Sequence, residues 1–301
     1  MWKQKLALGL SGECGVPLIG QLRLIRAAGF EGFFAPWESA ESLRALAAEG
    51  AALGLDFQSV HAPFKRTAAL WHEEEAPARQ ALEELMECLR ACAENAVALM
   101  VAHAFIGFQE HTPSAIGLER FGSLIREAER LGVQIAFENT EGEEYLAALM
   151  ETFGGSPAVG FCWDSGHELC YNGGKDLLAV YGGRLLGTHL NDNLGVSDYA
   201  GEIDWHDDLH LLPFDGIADW DGIAARLDRC GFRGTMTFEL KRRSKPGRHE
   251  NDGYEAMPLE QYLAACYRSA CRVAAKRRLA PAAFQNKKRE ESSGFFPFFN
   301  N

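Results

Sequence analysis

Along this chain, stretches with apolar residues every three or four positions repeatedly stop at a glycine and give way to a short apolar or β-branched run. The unit appears as LIRAAGFEGFFAPW, LAAEGAALGLDFQSVHAPF, LIREAERLGVQIAFEN and RLDRCGFRGTMTFEL. The helical period marks one buried face, the glycine is the left-handed residue that ends a helix, and the run after it has the length of a buried strand. With the less regular copies, strands are predicted near residues 5–10, 31–36, 56–61, 97–103, 133–138, 159–164, 185–189 and 235–239. Helices are predicted between and after them, near 17–28, 39–53, 77–94, 113–131, 143–152, 175–182, 219–230 and 258–278. Eight strand-then-helix units predict an α/β protein, a closed (β/α)8 TIM barrel forming a single domain over residues 1–280. A doubly wound sheet is the competing architecture, but no G-x-G-x-x-G turn follows the first strand.

Residues 281–301 break the pattern with a charge cluster, a Ser-Ser-Gly turn and the run Phe295, Phe296, Phe298, Phe299. Such a short C-terminal extension is expected to be either disordered or docked on a neighbour, and docking on a second subunit would make the protein a homo-oligomer.

Composition and charge narrow the partners. With 301 residues, 47% hydrophobic and 24% charged, the chain can bury a large core without disulfides or structural metals. Residues 1–240 hold 17 Lys and Arg against 36 Asp and Glu, whereas residues 241–301 hold 13 against 6. Most of that surface repels phosphate, so no nucleic-acid partner is expected, although the basic end can steer a small anion. Eight cysteines without a C-x-x-C pair read as free thiols in a reducing cytoplasm. No stretch approaches the roughly 20 apolar residues of a membrane span, and the N-terminal apolar run reads as a first strand, so no membrane partner is expected.

In a barrel of this kind the chemistry sits at the C-terminal ends of the strands. Those positions are Trp37-Glu38, His61, His103, Glu138-Asn139, Asp164, His189 and Glu239, and six of the eight strands end in a residue type that binds metals. Strand ends converge on the barrel axis, so Glu138, Asp164, His189 and Glu239, from the last four strands, are expected to meet around one divalent ion. Carboxylates and an imidazole without a thiolate suit Mn²⁺, Co²⁺, Mg²⁺ or Zn²⁺. His167, three residues after Asp164, faces either a second metal or a substrate oxygen. The 50 residues from His189 to Glu239 are twice the 25 or 26 between the preceding ligands, which marks an insertion. It carries WHDDLHLLPFDGIADW, where Asp208 and His210 alternate as on an extended segment and can both point inward. Trp37, His61, His167 and His210 are expected to line the substrate pocket.

At these residues the chain resembles the xylose-isomerase-like barrel superfamily, which groups sugar and sugar-phosphate isomerases and epimerases with endonuclease IV. The resemblance runs from about residue 4 to 278 through VHAPF, FENT, WDSGH, THLNDN, HLLPFDGIADW and FEL, in that order. By analogy with the ketose 3-epimerases, it implies one divalent metal on Glu138, Asp164, His189 and Glu239. It further implies Glu138 and Glu239 as the acid/base pair and His167 on the substrate. By analogy with endonuclease IV, it implies three zinc ions on His61, His103, Glu138, Asp164, His167, His189, Asp208, His210 and Glu239. The acidic surface and the wording HLLPFDGIADW favour the sugar branch. The expected function is therefore a metal-dependent sugar, keto-sugar or sugar-phosphate isomerase or epimerase working through a metal-stabilised enediolate on a small carbohydrate. The alternatives are an endonuclease IV-like zinc phosphodiesterase, a keto-sugar or keto-inositol dehydratase or lyase, and a binding protein without turnover.

The Phe-rich extension yields the first test. Deleting residues 285–301 is expected to lower the melting temperature or change the oligomeric state seen by light scattering, because four phenylalanines need a cover; no change in either would show the segment to be disordered.

Overall fold

The computed structural model describes residues 3–108, 112–197 and 203–278. The extension at residues 281–301 lies outside the described residues. The eight strands are β1 (Leu6–Gly9), β2 (Gly32–Pro36), β3 (Asp56–His61), β4 (Leu99–His103), β5 (Gln134–Glu138), β6 (Val159–Asp164), β7 (Leu185–His189) and β8 (Met236–Phe238). All pair in parallel, in the order β7-β6-β5-β4-β3-β2-β1-β8. The ring closes through a parallel bridge between Leu190 and Phe238. There Leu190 N donates to Thr237 O at 2.8 Å and Glu239 N to Leu190 O at 3.2 Å. The molecule is the (β/α)8 barrel that the strand-then-helix repeats predict.

The helices are α1 (Leu18–Ala28), α2 (Ala40–Ala52), α3 (Glu75–Glu94), α4 (Ala115–Leu131), α5 (Glu143–Phe153), α6 (Ser165–Cys170), α7 (Leu177–Tyr181), α8 (Trp220–Arg229), α9 (Asp252–Glu255) and α10 (Leu259–Ala274). Glycine ends α1 and α4 as the repeats require: Gly29 and Gly132 stand at φ 118° and 70°. At Gly29 a side chain is excluded twice, because a Cβ would also lie 2.6 Å from the Tyr267 ring. Two short helices have no counterpart in the hydrophobic pattern. α9 is a single turn, and α6 begins at Ser165, capped by the Asp164 side chain. Among the described residues no helix is long and apolar enough to cross a membrane, and the eight cysteines are unpaired.

The period of two along each strand positions the site. Leu99 and Val101 precede His103 on the inner face of β4, Ala136 precedes Glu138 on β5, and Cys162 precedes Asp164 on β6. Together with Leu186 they form a small apolar cluster, separate from the larger core. The alternate residues, among them Met100, Ile135, Phe137, Phe161 and Trp163, join the outer core. The polar ligand-type residues therefore stand at the top of inward-facing columns with an apolar plug beneath them. Register aligns them laterally: His103 pairs with Glu138 and Asp164 with His189.

Candidate metal centre

The WDSGH segment shows why an aspartate and a histidine stand three apart. Asp164 Oδ1 accepts the His167 backbone N–H at 2.7 Å and so starts α6. Asp164 Oδ2 accepts from Asn191 Nδ2 at 2.8 Å. Asn139, the residue after β5, clamps the same turn: its Oδ1 accepts the Asp164 N–H at 2.7 Å and its Nδ2 donates to Asp164 O at 2.9 Å. The His167 ring donates from Nδ1 to the Asn139 carbonyl at 2.9 Å. That bond sets the ring orientation, the way outer partners orient ligating histidines, and leaves Nε2 facing Asp208 Oδ1 at 3.5 Å.

Around this turn the ligand-type residues form three groups. Glu138, Asp164, His189 and Glu239 bring one ligand atom each within 4.8 Å of the others, as do His61, His103 and Glu138, and as do His167, Asp208 and His210. A further group replaces Asp164 and Glu239 by Cys162; burial pushes the Cys162 thiol up to about 12, so a cation there would have to displace its proton. His189 Nδ1 lies 2.7 Å from Glu138 Oε1 and 3.1 Å from Glu239 Oε2. On the other side of Glu138, Oε2 faces the Nε2 atoms of His61 and His103 at 3.3 and 3.4 Å. Glu138 Oε2 and Asp208 Oδ1 are nevertheless buried with no hydrogen-bond partner. Buried carboxylate oxygens left open among imidazole nitrogens fit a divalent cation, and the oxygen and nitrogen donors admit Mn²⁺, Co²⁺, Mg²⁺ or Zn²⁺.

Asp208 and His210 are brought to the site by the insertion after β7, and Asp192 anchors that insertion. Fully buried, Asp192 accepts the backbone N–H groups of Asn193, Phe214 and Ala218 and the Trp220 indole N–H, all at 2.8 to 2.9 Å. Its backbone also pairs with Leu211 through two 2.9 Å bonds. The loop so held puts His210 at φ 49°, unusual for a residue with a side chain, and His210 Nε2 meets Asp208 Oδ2 at 2.9 Å.

The electrostatics follow from burying acids beside imidazoles. Burial works against the Glu138 carboxylate, but His189, His103 and His61 hold its pKa well below the usual range. Burial likewise opposes ionised Asp208 and Glu239, and the charges of His210 and of His167 or His189 bring both well below it. Asp164 goes the other way: burial raises it to about 6, against the pull of His167 and His210. Burial disfavours the imidazolium forms of His167, His189 and His210, yet the facing carboxylates raise His167 and His210 above 6.5, and Cys162 and Glu138 raise His189.

Above the groups lies a cavity of about 590 Å³. His61, His103, His167, Asp208, His210 and Glu239 line it, and Glu138, Asp164 and His189 lie beneath, each at most 1% exposed. All nine residues expected at a metal are thus brought together, whereas Trp37 is not. Side chains alternate along β2, so Pro36 takes the cavity side and Trp37 turns outward into a recess with Leu43, Leu46 and Phe57. Trp37 is therefore not among the residues that line the cavity. His206 hydrogen-bonds Asp204 at the surface, with 2.6 Å between them. Sequence reasoning gave no role to Asn191, Asp192, Lys241, Lys245 or Tyr171. A usable signal was present for two of them, since an amide and an acid directly after a buried strand, as in THLNDN, must find backbone partners.

Comparison with known proteins places the chain. Residues 22–260 match the family model of the xylose isomerase-like TIM barrel. The uncharacterized protein y4fM of Sinorhizobium fredii is 39% identical over 113 residues, 36% of this chain and 33% of that protein. The matched stretch thus spans a third of the length of this curated relative. The solved structure of 3-keto-D-glucoside 4-epimerase YcjR from E. coli aligns with a TM-score of 0.64 at 15% identity, over 89% of this chain and 100% of that one. The IOLI protein, solved with a bound zinc atom, aligns with a TM-score of 0.70 at 17% identity, over 91% and 99% of the two chains. At these identities the likeness to the solved structures is one of fold.

A cation entering these groups must displace protons from raised imidazoles. A histidine whose folded pKa is raised stabilises the metal-free protein below its unfolded value, and that stability is lost as pH rises through the folded value. Metal affinity is therefore expected to increase with pH from 6.5 upward, with release of at least about one proton per ion. Calorimetry with Mn²⁺ or Zn²⁺ in buffers of different ionisation enthalpy measures this; binding without proton release at pH 6.5 would contradict the charge assignment.

Proposed function

The chain belongs to the xylose isomerase-like TIM barrel family, and from that premise we propose that it is a divalent-metal-dependent sugar isomerase or epimerase. One observation carries the reading: two carboxylates at the ends of separate strands, Glu138 on β5 and Glu239 just after β8, close on the same imidazole nitrogen at the floor of the cavity. Glu138, Asp164, His189 and Glu239 would hold the metal. When bound, a divalent cation there supplies Lewis-acid stabilisation of negative charge developing on substrate oxygens, worth several kcal/mol.

The chain's own residues do the rest. Glu239 reaches the cavity wall and takes the proton from the carbon beside the substrate carbonyl, while the C–H electron pair moves toward the carbonyl oxygen. Glu138, beneath the cavity, supplies the second carboxylate of the acid/base pair. Return of a proton to the opposite face of the same carbon gives the epimer, and return to the adjacent carbon gives the aldose–ketose isomer. Positioned acids and bases of this kind contribute typically about 10² to 10⁴ in rate. His61, His167 and His210 line the cavity as donors to substrate hydroxyls, and Lys241 Nζ, 3.5 Å from Glu239 Oε1, offsets charge on the base.

A second reading, a zinc phosphodiesterase, is favoured by one observation, the assembly of all three candidate ligand groups from nine residues. Against it stands the acidic excess of residues 1–240, which would repel a polyanion. A duplex with an abasic site is expected to be neither bound nor cut at about 0.15 M salt; efficient incision would reverse the order of the two readings.

Replacing Glu239 or Glu138 by glutamine keeps the size and one ligating oxygen but removes the base. Each variant is expected to bind metal, more weakly than the parent, and to lose turnover by at least about a hundredfold on a keto-sugar substrate. Metal content by elemental analysis and solvent deuterium incorporation at the carbon beside the carbonyl check both halves. If both variants retain metal and parent-like rates, the acid/base assignment fails.

A further inference from the structure

The cavity is larger than the sugar ring that this reaction needs. A water's share of the liquid, roughly 30 Å³, is a generous allowance per non-hydrogen atom, and at that rate a hexose of about twelve such atoms takes no more than ~360 Å³. The cavity holds about 590 Å³. The acids and imidazoles lie on its floor. Phe34 and Phe64 are committed there as well, stacked on His189 and His103 at 4.5 and 4.6 Å.

Beside Glu13, Glu141, Lys241 and Lys245, part of the remaining wall has a different character. Ile106 and Phe108 come from the segment after β4, Tyr171 from the end of α6, and Trp205 from the insertion after β7. Phe108 meets Tyr171 edge-on at 5.8 Å. Trp205 is 44% exposed and outside the core, with Lys245 Nζ 5.0 Å from its ring. Barrel stability does not call for an exposed indole at the mouth of a polar site. Half-buried aromatic and aliphatic side chains beside convergent polar groups, with an exposed indole at the mouth, are what a ligand with an apolar portion recognises.

We propose that the site takes a keto-glycoside rather than a free monosaccharide, with the carbonyl-bearing sugar ring at the carboxylates and an aromatic aglycone against Trp205, Phe108 and Tyr171; unoxidised glycosides are its non-reacting probes. This assignment rests on the sugar-directed reading above and names the substrate class within it. The apolar wall would contribute by burying the aglycone and through ring-to-ring contact.

The test is equilibrium binding of phenyl β-D-glucopyranoside, methyl β-D-glucopyranoside and D-glucose to the Mn²⁺-loaded protein by calorimetry. The phenyl glycoside is expected to bind at least about tenfold more tightly than the methyl glycoside. Trp205→Ala and Phe108→Ala should each cut that preference at least about threefold at unchanged metal content, and Trp205→Phe should restore most of it. Equal affinity for the two glycosides, no measurable binding of either, or a preference untouched by both alanine variants would overturn the proposal. Because the readout is binding alone, the two readings fail separately. Deuterium exchange into a free ketose without any phenyl preference would sink only the glycoside, whereas phenyl preference without exchange into any keto-sugar would support the glycoside and sink the reaction.

Discussion

A carboxylate taken out of water costs several kcal/mol unless charges and hydrogen bonds replace its hydration. At the centre of this barrel Glu138 is 1% exposed and Asp164 wholly buried. The arrangement around them answers that cost. His61, His103, His167 and His189 all approach Glu138 within 3.8 Å, and they arrive from β3, β4, α6 and β7. An acid held this way ties β5 to β3, β4, β7 and α6, so one side of the ring of strands and the site are one construction.

Two buried acids show how such a residue becomes structural or chemical. Asp192 accepts four N–H donors fixed by backbone or indole geometry, which leaves it nothing further to bind. Glu138 faces imidazoles, which can give up their protons, and keeps Oε2 without a hydrogen bond. The first kind of surrounding fixes a loop and the second leaves an oxygen for a ligand. The two are linked, since the loop that Asp192 fixes is the one that carries Asp208 and His210.

The upper half of the cavity is built under a looser constraint. Most residues on the floor are held by strand register, whereas Phe108, Tyr171 and Trp205 sit on segments that leave the barrel. Enzymes on this fold vary substrate by changing such loops while the strand ends keep the chemistry. The division of the wall into a polar floor and an aromatic rim follows the same boundary.

The strands and most helices were legible in the sequence because their signals are local. Alternation, the helical period and the glycine stops at Gly29 and Gly132 depend on neighbours within a turn, and the strand limits they imply agree with the structure to within two residues. The convergence of Glu138, Asp164, His189 and Glu239 was legible too, since eight strand-then-helix units close only one way and each of these residues ends a strand. Beyond that, local pattern decides nothing. Trp37 shares a strand end with Pro36, and only the pleat in the closed barrel settles which of them faces the cavity. α6 has no hydrophobic period because its start is a cap, made by Asp164 once Asn139 and Asn191 hold that side chain. The anchoring role of Asp192 and the distance from rim to floor belong to the tertiary structure alone, because backbone donors from residues 214–220 and rings from separate loops meet there only after the chain has folded.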